Sequence, residues 1–250
     1  MMYQLVAGGG KRPAGDRPRV PYARRVSDLV RDGRSTRWDP HRRERRAAIT
    51  AAAIAAIQQY GPDALTGQIA DLAGVPRTHV YRHFEGKQAL DRAVVRRAGR
   101  EILAQIRAGL ATGSTPREII SGGLGGYLGW IEQQPNLYRF LAKHAFTIDG
   151  TGLPTRDDAK AILAVELTAV LAGYMRAMGL DDATAERTIT GVVGLIDNTA
   201  LWWLWAPETP RAELTGWLTK QVWLLIDSAV REQGLELDPD DTLPTPQPAG

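Results

Sequence analysis

The chain has 250 residues, of which 44% are hydrophobic and 24% are charged, a composition typical of a folded protein with a sizeable core. It contains no cysteine, which excludes disulfides, thiolate metal sites, iron–sulfur clusters and cysteine nucleophiles, and which fits a reducing cytoplasm. No apolar run is long enough for a membrane-spanning helix, and the first twenty residues lack the apolar segment of a secretory signal.

The charge is distributed unevenly along the chain. Residues 1–110 carry 21 Lys and Arg against 10 Asp and Glu, whereas residues 111–250 carry 10 against 18. A basic front half on an acidic back half indicates that the front half meets a polyanion. Nucleic acid is the first candidate for that partner, and an anionic membrane surface is the second.

The front of the chain is predicted to be an arm followed by a helix. Residues 1–38 contain repeated Pro and Gly with scattered Arg, and we expect a flexible basic arm that either enters a DNA minor groove or remains solvated. Asp39 and Pro40 predict a helix start, as N-cap and first helical residue. The apolar residues that follow at helical spacing are Ile49, Ala53, Ala56, Ile57 and Tyr60.

The next block, from Leu65 to Leu90, predicts two short helices joined by a tight turn. Thr66 is expected to cap the first helix, Gly74 permits the turn, and Pro76 opens a second helix that ends near residue 84. A long helix is predicted to follow over residues 87–110. Two short helices joined in this way and flanked by longer ones indicate a helix-turn-helix unit, which we assign to residues 39–86.

The remaining sequence is predicted to be helical as well. We expect helices near residues 116–134, 137–145, 159–178, 183–206 and 210–233, separated by Pro, Gly and Asp. These helices make residues 87–234 a second domain, and the Pro- and Asp-rich residues 235–250 are expected to be a disordered tail. The sequence therefore predicts an all-α fold.

The second short helix carries the chemistry of the front half. Val80 and Phe84, four residues apart, form its apolar face, and the rest of the helix consists of hydrogen-bond donors. The second helix of a helix-turn-helix enters the DNA major groove, where Arg77 can pair with guanine and the Thr78 methyl group can meet thymine. The arginines at the start of the first long helix form a cationic patch suited to a phosphate backbone: Arg42, Arg43, Arg45 and Arg46.

At these residues the sequence resembles the TetR family of transcriptional regulators. The run AGVPRTHVYRHFEGKQAL is close to the signature of that family, and RWDPHRRERRAAI resembles a form frequent in actinobacterial members. The resemblance implies base contacts from Arg77 and Thr78. It implies phosphate contacts from Thr66, His79, Tyr81, His83 and Lys87. One departure is Pro76, which stands where many members have Ser or Thr and which removes a side-chain cap.

The resemblance also implies a function. A homodimeric, cytoplasmic repressor is expected to read a pseudo-palindromic operator in double-stranded DNA and to be released by a largely apolar, lipid-like effector. No cofactor and no metal are expected. The side chains proposed for the effector pocket are Tyr127, Trp130, Tyr138, Leu141, His144, Leu167, Leu171, Tyr174 and Met175. His144 fits a pocket and the core equally well.

The last two predicted helices are apolar on nearly all sides, as expected for helices that face both their own core and a partner. In the family they form a four-helix dimer interface. The residues assigned to that interface are Ile196, Trp203, Leu214, Trp217, Leu218, Val222, Leu225 and Ile226.

Several other patterns favour structural roles. The glycines from 122 to 129 lack the spacing and the preceding strand of a nucleotide loop, and instead allow close helix packing or leave room for a ligand. Arg92, Arg96 and Arg100 fit a solvated face better than a DNA contact. Asp157-Asp158 and Asp181-Asp182 fit helix starts better than a metal site.

Two rival functions remain to be weighed against the repressor. An enzyme would need a nucleophile–base pair, a metal set or a cofactor loop, and the sequence shows none of these, so we expect no enzymatic activity. The alternative function is a basic helical protein that binds DNA or a membrane surface without reading sequence.

Overall fold

A computed structural model of the chain describes residues 33–144, 159–206 and 208–246, and the side chains of residues 33–40, 159 and 160 are excluded from the description. The described residues form nine helices and no strand, which confirms the all-α prediction. The helices are α1 (Gly33–Tyr60), α2 (Thr66–Ala73), α3 (Arg77–His83), α4 (Lys87–Leu110), α5 (Pro116–Gln133), α6 (Pro135–His144), α7 (Ala159–Ala177), α8 (Ala185–Trp203) and α9 (Arg211–Arg231).

The chain divides into two units, residues 1–43 and residues 44–250. Of the predicted arm, residues 1–32 lie outside the described residues, whereas residues 33–38 belong to α1. The predicted helix start at Asp39 is therefore wrong by six residues. The structure thus places Pro40 inside α1, where a proline lacks a backbone donor and its ring crowds the carbonyl four residues earlier.

The turn between α2 and α3 has the predicted conformation. Gly74 ends α2 with φ +61°, a left-handed conformation that glycine adopts without penalty, and the Val75 N–H donates to Ala70 O at 3.1 Å. The predicted cap at Thr66 is wrong, because the N-cap is Leu65, whose N–H donates to the Gln68 side chain at 2.7 Å. Thr66 is the first residue of α2, and its hydroxyl is used elsewhere.

One continuous core joins the helix-turn-helix unit to the helices behind it. Val80 and Phe84 are fully buried against residues of α1, α2 and α4, as their spacing predicted. The core continues through Leu124, Leu128 and Ile131 of α5 and into α6, α8 and α9. A second, smaller cluster lies between α7 and the start of α8.

Helices α4 and α5 pack through glycine. A Cβ atom added to Gly109 would lie 2.0 Å from the carbonyl oxygen of Gly122, and one added to Gly126 would lie 2.4 Å from that of Gln105. Glycine is required at these positions because any side chain would push the two backbones apart. Gly125 is different, since a Cβ atom there would meet nothing within 4 Å. The glycine run thus serves both predicted purposes, close packing on one face and open space on another.

The predicted disorder of the C-terminal tail is wrong for residues 235–246. Asp240 accepts two bonds from the Arg117 guanidinium, Nε to Oδ1 at 2.6 Å and Nη2 to Oδ2 at 3.0 Å. The backbone adds bonds from Arg117 N to Pro239 O and from Leu243 N to Ser114 O, both at 3.0 Å. Composition alone favours disorder here, but these contacts hold the tail against the start of α5. Residues 247–250 lie outside the described residues.

Candidate functional site

Helix α3 presents a polar face that is free of the core. The side chains of Arg77, Thr78 and His79 are exposed in its first turn, while Val80 fixes the opposite face. This is the geometry that a recognition helix needs, since its first turn reaches base edges while the other face is held by the neighbouring helices. The structure therefore brings together the residues predicted for base contact.

Thr66 and Tyr81 form one polar unit beside that face. Their hydroxyl groups lie 3.0 Å apart, and Tyr81 remains 40% exposed. The pKa of Tyr81 lies below its usual value, because Thr66 hydrogen-bonds to its hydroxyl and the cationic Arg77 and Lys87 lie nearby. Two residues predicted as separate phosphate contacts thus form one hydrogen-bonded pair.

The remaining predicted phosphate contacts surround the end of α3. Lys87 is the first residue of α4, and its ammonium group lies 3.5 Å from the Asp91 carboxylate, with nearly half of its side chain exposed. His83 is half-buried in the last turn of α3. Both side chains flank the turn between α3 and α4, so they can reach a backbone that lies along this end of the recognition helix.

Arg46 has a structural role that the sequence analysis missed. Its Nη1 donates to the backbone oxygen of His83 at 2.5 Å, and its guanidinium lies 4.3 Å from the centre of the Phe84 ring. These contacts satisfy a carbonyl in the last turn of α3 and attach α1 to it. Its position three residues before the buried Ile49 could have indicated this role, since both residues lie on one helix face.

The other arginines predicted in the same patch point to solvent. Arg45 is exposed on α1, and Arg42, which belongs to the first unit, is exposed as well. Their predicted contact with a phosphate backbone remains a prediction.

Helix α6 joins the rear helices to the helix-turn-helix unit. The Lys143 ammonium forms an ion pair with Asp63 in the turn between α1 and α2. Asn136 Nδ2 donates to Gln58 O at 3.0 Å, and Gln58 Nε2 donates to Gln134 Oε1 at 2.9 Å. A displacement of α6 would therefore act directly on the end of α1 and on the loop before α2.

The residues predicted for the effector pocket fall into two groups. Tyr127, Trp130 and Tyr138 are buried in the main core, whereas Leu171 and Met175 belong to the second cluster, with Leu167 packed against it. Leu141, His144 and Tyr174 are half-buried. In the sequence, residues 145–158 separate α6 from α7; they are outside the described residues and include the predicted helix start at Asp157-Asp158.

A buried polar cluster lies within the first group. The Tyr127 hydroxyl is 2.7 Å from that of Tyr138 and donates to Asp197 Oδ1 at 3.2 Å. Burial raises the pKa of Tyr127 well above its usual value, and the Asp197 charge adds to this effect. One turn further along α5, the buried Nε1 of Trp130 has no hydrogen-bond partner among the described residues. Polar groups of this kind fix the orientation of ligands in largely apolar pockets.

The structure corrects the set of residues predicted for the dimer interface. Four of the eight are buried in the core of their own chain and cannot form an interface: Trp203, Leu214, Leu218 and Val222. Ile196 and Ile226 are half-buried, and only Trp217 and Leu225 of the predicted set are exposed. Because α8 and α9 are apolar on several sides, the sequence did not show which stripe faces inward.

The structure reveals exposed apolar residues that the prediction omitted. Trp205 is 78% exposed, Leu224 is 58% exposed and Trp202 is 54% exposed. Trp202 lies in the last turn of α8 and Trp205 just beyond that helix, whereas Trp217, Leu224 and Leu225 lie on α9. Exposed apolar side chains that form a patch on a protein surface mark sites of association.

The described ranges contain neither a metal-binding cluster nor a membrane-spanning helix. No group of three His, Asp or Glu side chains there could hold a metal ion. No helix in the same ranges is both long and apolar enough to cross a membrane.

Comparison with known families assigns both parts of the chain. The family described as "Bacterial regulatory proteins, tetR family" matches residues 49–94. The family described as "Tetracyclin repressor-like, C-terminal domain" matches residues 105–236, which is more than half of the chain. The two matches together span the helix-turn-helix unit and the helices behind it.

Two relatives carry names of transcriptional regulators. An uncharacterized HTH-type transcriptional regulator of Mycobacterium tuberculosis (strain H37Rv) is 28% identical over 222 residues, which cover 87% of this chain and 92% of the relative. The HTH-type transcriptional activator FasR of Mycolicibacterium smegmatis is 27% identical over 197 residues, covering 78% of this chain and 81% of FasR.

Solved structures share the fold. A transcriptional regulator from Rhodococcus sp. Rha1 matches with a TM-score of 0.61 at 21% identity, covering 78% of this chain and 99% of that one. The transcriptional regulator FadR from Bacillus subtilis, solved in complex with stearoyl-CoA, matches with a TM-score of 0.52 at 20% identity, covering 72% and 97%.

Proposed function

This chain belongs to the TetR family of bacterial regulatory proteins and is a DNA-binding transcriptional regulator, and we propose that it is a homodimeric repressor released by a largely apolar effector. The observation that carries the proposal is the exposed donor face of α3, with Arg77, Thr78 and His79 in its first turn and Val80 anchoring the other side. Two such helices in a symmetric dimer would read two half-sites of a pseudo-palindromic operator.

Each contact residue has a defined part in this proposal. Arg77 and Thr78 contact base edges, and the Thr66–Tyr81 pair, His79, His83 and Lys87 hold phosphates on either side. Arg45, and separately Arg42 of the first unit, would each contact the DNA backbone. The protein acts in the cytoplasm, where bacterial DNA lies.

The dimer forms through the exposed apolar surface of α8 and α9. Trp202, Trp205, Trp217, Leu224 and Leu225 supply the area, and a second copy of the same surface would cover it under two-fold symmetry. Trp217→Glu places a charge in that contact and is expected to yield monomers in sedimentation analysis. The substitution leaves unchanged Trp203, which is buried in its own chain.

The effector binds among the helices behind the DNA-binding unit and acts through α6. The Tyr127–Tyr138–Asp197 cluster would orient its polar end, and the apolar residues of α7 would contact its chain. The stearoyl-CoA complex of FadR, which shares this fold, supports a lipid-like effector. Such an effector releases DNA only if it binds the non-DNA conformation more tightly, and the Lys143–Asp63 pair couples α6 to the DNA-binding unit.

The test is binding to the DNA that flanks the protein's own coding region, against random DNA at two salt concentrations. Arg77→Ala is expected to lose about 1–3 kcal/mol on the operator and to relax base preference. Lys87→Ala should weaken binding to both DNAs alike and lower the salt slope by about 1. Arg187→Ala removes an exposed cation of α8 that faces Glu232, and serves as the matched control.

Two results would contradict the proposal that the protein recognises a specific DNA sequence. Equal affinity for both DNAs would favour the alternative function, a basic surface that binds DNA without reading sequence. Equal losses from Arg77→Ala on both DNAs would also contradict the assignment of a base contact. Fatty acids and acyl-CoA esters, titrated into the operator complex, then test release by the effector.

A second candidate function is transcriptional activation, favoured by the similarity to the activator FasR. The recognition helix and the dimer surface would be the same in an activator. A reporter gene driven by the bound promoter separates the two, since deleting the regulator raises expression under a repressor and lowers it under an activator.

A further inference from the structure

A groove of about 470 Å³ lies between α5 and α9, on the surface of the rear domain. Its walls are formed by the first half of each helix, from Arg117 to Gly125 and from Arg211 to Lys220. None of the residues predicted for the effector pocket lines it. Its volume falls in the range of small-molecule sites.

The groove is lined by three cations and by no carboxylate. The cations are Arg117, Arg211 and Lys220. Residues 111–250 contain only 10 Lys and Arg against 18 Asp and Glu, so this grouping runs against the charge of the region. Two of these cations are paired with carboxylates beside the groove, and the remaining positive charge favours an anionic ligand.

The three cations differ in what they contact. The Arg211 guanidinium lies 2.9 Å from the Glu132 carboxylate, and Arg117 holds the Asp240 carboxylate of the C-terminal tail through two nitrogens. Lys220 is exposed, and no ion pair or hydrogen bond involves its ammonium group within the described part of the chain. Lys220 therefore offers an uncompensated charge, and Arg117 already shows the paired geometry with which a guanidinium binds an oxyanion.

The hydroxyl groups of the groove donate to backbone oxygens of their own helices, and Ser121 donates to Glu118 O at 3.2 Å. Thr215 donates to Arg211 O at 2.8 Å, and Thr219 donates to Thr215 O at 2.7 Å. Their protons are thus directed to their own helix. The cations alone would determine which ligand is held.

Two glycines keep the groove open. A Cβ atom on Gly125 or on Gly216 would meet nothing within 4 Å, so neither glycine is required for helix packing. Glycine within a helix costs about 0.5–1 kcal/mol relative to alanine. At these two positions its effect is to leave free space beside the three cations.

We propose that the α5–α9 groove binds a small molecule that carries two or more oxyanion groups, either phosphates or carboxylates. One oxyanion contacts Lys220, and another displaces the Asp240 carboxylate from Arg117. The site goes beyond the apolar effector of the proposed function and gives the protein a second ligand. Binding would also loosen the C-terminal tail from α5, because ligand and tail use the same guanidinium.

Calorimetric titration of the full-length protein with inorganic pyrophosphate and, separately, with citrate tests the proposal. We expect saturable binding at one site per chain, weakened about tenfold by Lys220→Gln through loss of a charge-assisted contact. Gly216→Leu fills the groove without changing its charge and should weaken binding as well. Arg187→Gln, the matched loss of an exposed cation on α8, should bind as the parent protein does.

The two ligands distinguish the sources of the oxyanion, since pyrophosphate alone or citrate alone would identify a phosphate or a carboxylate ligand. Sedimentation of each variant verifies that its oligomeric state is unchanged. Absence of saturable binding to either ligand would overturn the proposal. So would equal weakening by Arg187→Gln, or parent-like affinity in both Lys220→Gln and Gly216→Leu.

Discussion

The hydroxyl groups of Thr66 and Tyr81 lie 3.0 Å apart and connect the first residue of α2 to the middle of α3. Thr66 is buried, while Tyr81 is partly exposed beside the first turn of the recognition helix. The pair therefore joins α2 to α3 through their side chains. We propose that the same pair also contacts a DNA phosphate.

Tyr81→Phe should weaken binding to operator and random DNA alike. The substitution removes one neutral hydrogen bond, worth about 1 kcal/mol, or about fivefold in affinity. The salt slope should stay constant, because no charge is lost. Fluorescence anisotropy with both DNAs measures the effect, and Tyr60→Phe, exposed at the end of α1, is the control. A loss confined to the operator would instead assign Tyr81 to base reading.

Arg45 and Arg46 are adjacent in the sequence, but we expect Arg45 to contribute to DNA binding and Arg46 to contribute to the stability of the fold. Arg46→Met keeps the aliphatic stem but removes the bond to His83 O and the contact with the Phe84 ring, so the free energy of unfolding should fall by about 1–3 kcal/mol. Arg45→Met, at an exposed position, should change it by less than about 0.5 kcal/mol and should instead lower DNA affinity. Urea denaturation and DNA titration of the two variants measure both effects. Equal stabilities would contradict the structural role of Arg46.

Replacing one or the other of two adjacent glycines of α5 by alanine should change the free energy of unfolding in opposite directions. Gly126→Ala places a methyl group 2.4 Å from Gln105 O, and forcing α4 and α5 apart is expected to cost about 1–3 kcal/mol. Gly125→Ala meets open space and should raise the free energy of unfolding by about 0.5–1 kcal/mol through helix propensity. Chemical denaturation compares them directly. A gain in Gly126→Ala as well would contradict the close packing of α4 on α5, and a loss in Gly125→Ala would contradict the open space beside that residue.

Residues that begin or end helices, such as Gly and Pro, predicted most of the helix boundaries. Gly86 predicted the start of the long helix, whose range of 87–110 is confirmed, and Gly74 predicted the turn of the helix-turn-helix. These features are local, so a short stretch of sequence contains the information that they need. The family signature was likewise confined to one block, and both family matches confirm it.

The features that the sequence did not predict depend on contacts between distant residues. Val222 and Leu225 are both apolar and lie on one helix, yet only the packing against the other helices decides that Val222 is buried. The ordered tail depends on a pair formed by Arg117 and Asp240, 123 residues apart. No local pattern records which charges meet across such a distance.

The attachment of the tail should depend on the Asp240 carboxylate. Asp240→Asn removes the charge that pairs with Arg117, and the Leu243 amide, which donates to Ser114 O, should exchange its proton faster. Hydrogen exchange followed by NMR measures this, and Asp241→Asn is the matched control because Asp241 forms no ion pair among the described residues. Unchanged exchange in Asp240→Asn would show that the backbone bonds alone hold the tail.

The same pair should titrate at low pH. The Arg117 guanidinium holds the pKa of Asp240 below its ordinary value of 3.8. The contribution of this pair is therefore fully present above pH 3.8 and is lost as the pH falls through the lower folded value. An NMR titration of the Asp240 carboxyl should show its pKa rising towards the ordinary value in Arg117→Gln. An unshifted pKa in the parent protein would contradict the paired geometry.

His144 should make the stability of the protein depend on pH near neutrality. Burial lowers the pKa of its imidazole, the positive charges of Lys87 and Lys143 lower it further, and the carboxylates of Asp91 and Asp63 oppose the shift. The ring packs against Phe140, with 4.2 Å between the ring centres, and this contact contributes to its burial.

The direction of this pH dependence is set by whether the folded or the unfolded chain binds the proton more tightly. Because the folded pKa lies below the ordinary 6.5, the unfolded chain takes up the proton first, and the free energy of unfolding decreases as the pH falls below 6.5 towards the folded value. His144→Phe removes the titrating group and should flatten this part of the profile, measured by urea denaturation between pH 5 and 8. If His144→Phe retained the full pH dependence, another group would be responsible. If the decrease is confirmed, protonation would loosen the end of α6, beside the Lys143–Asp63 pair that joins it to the DNA-binding unit.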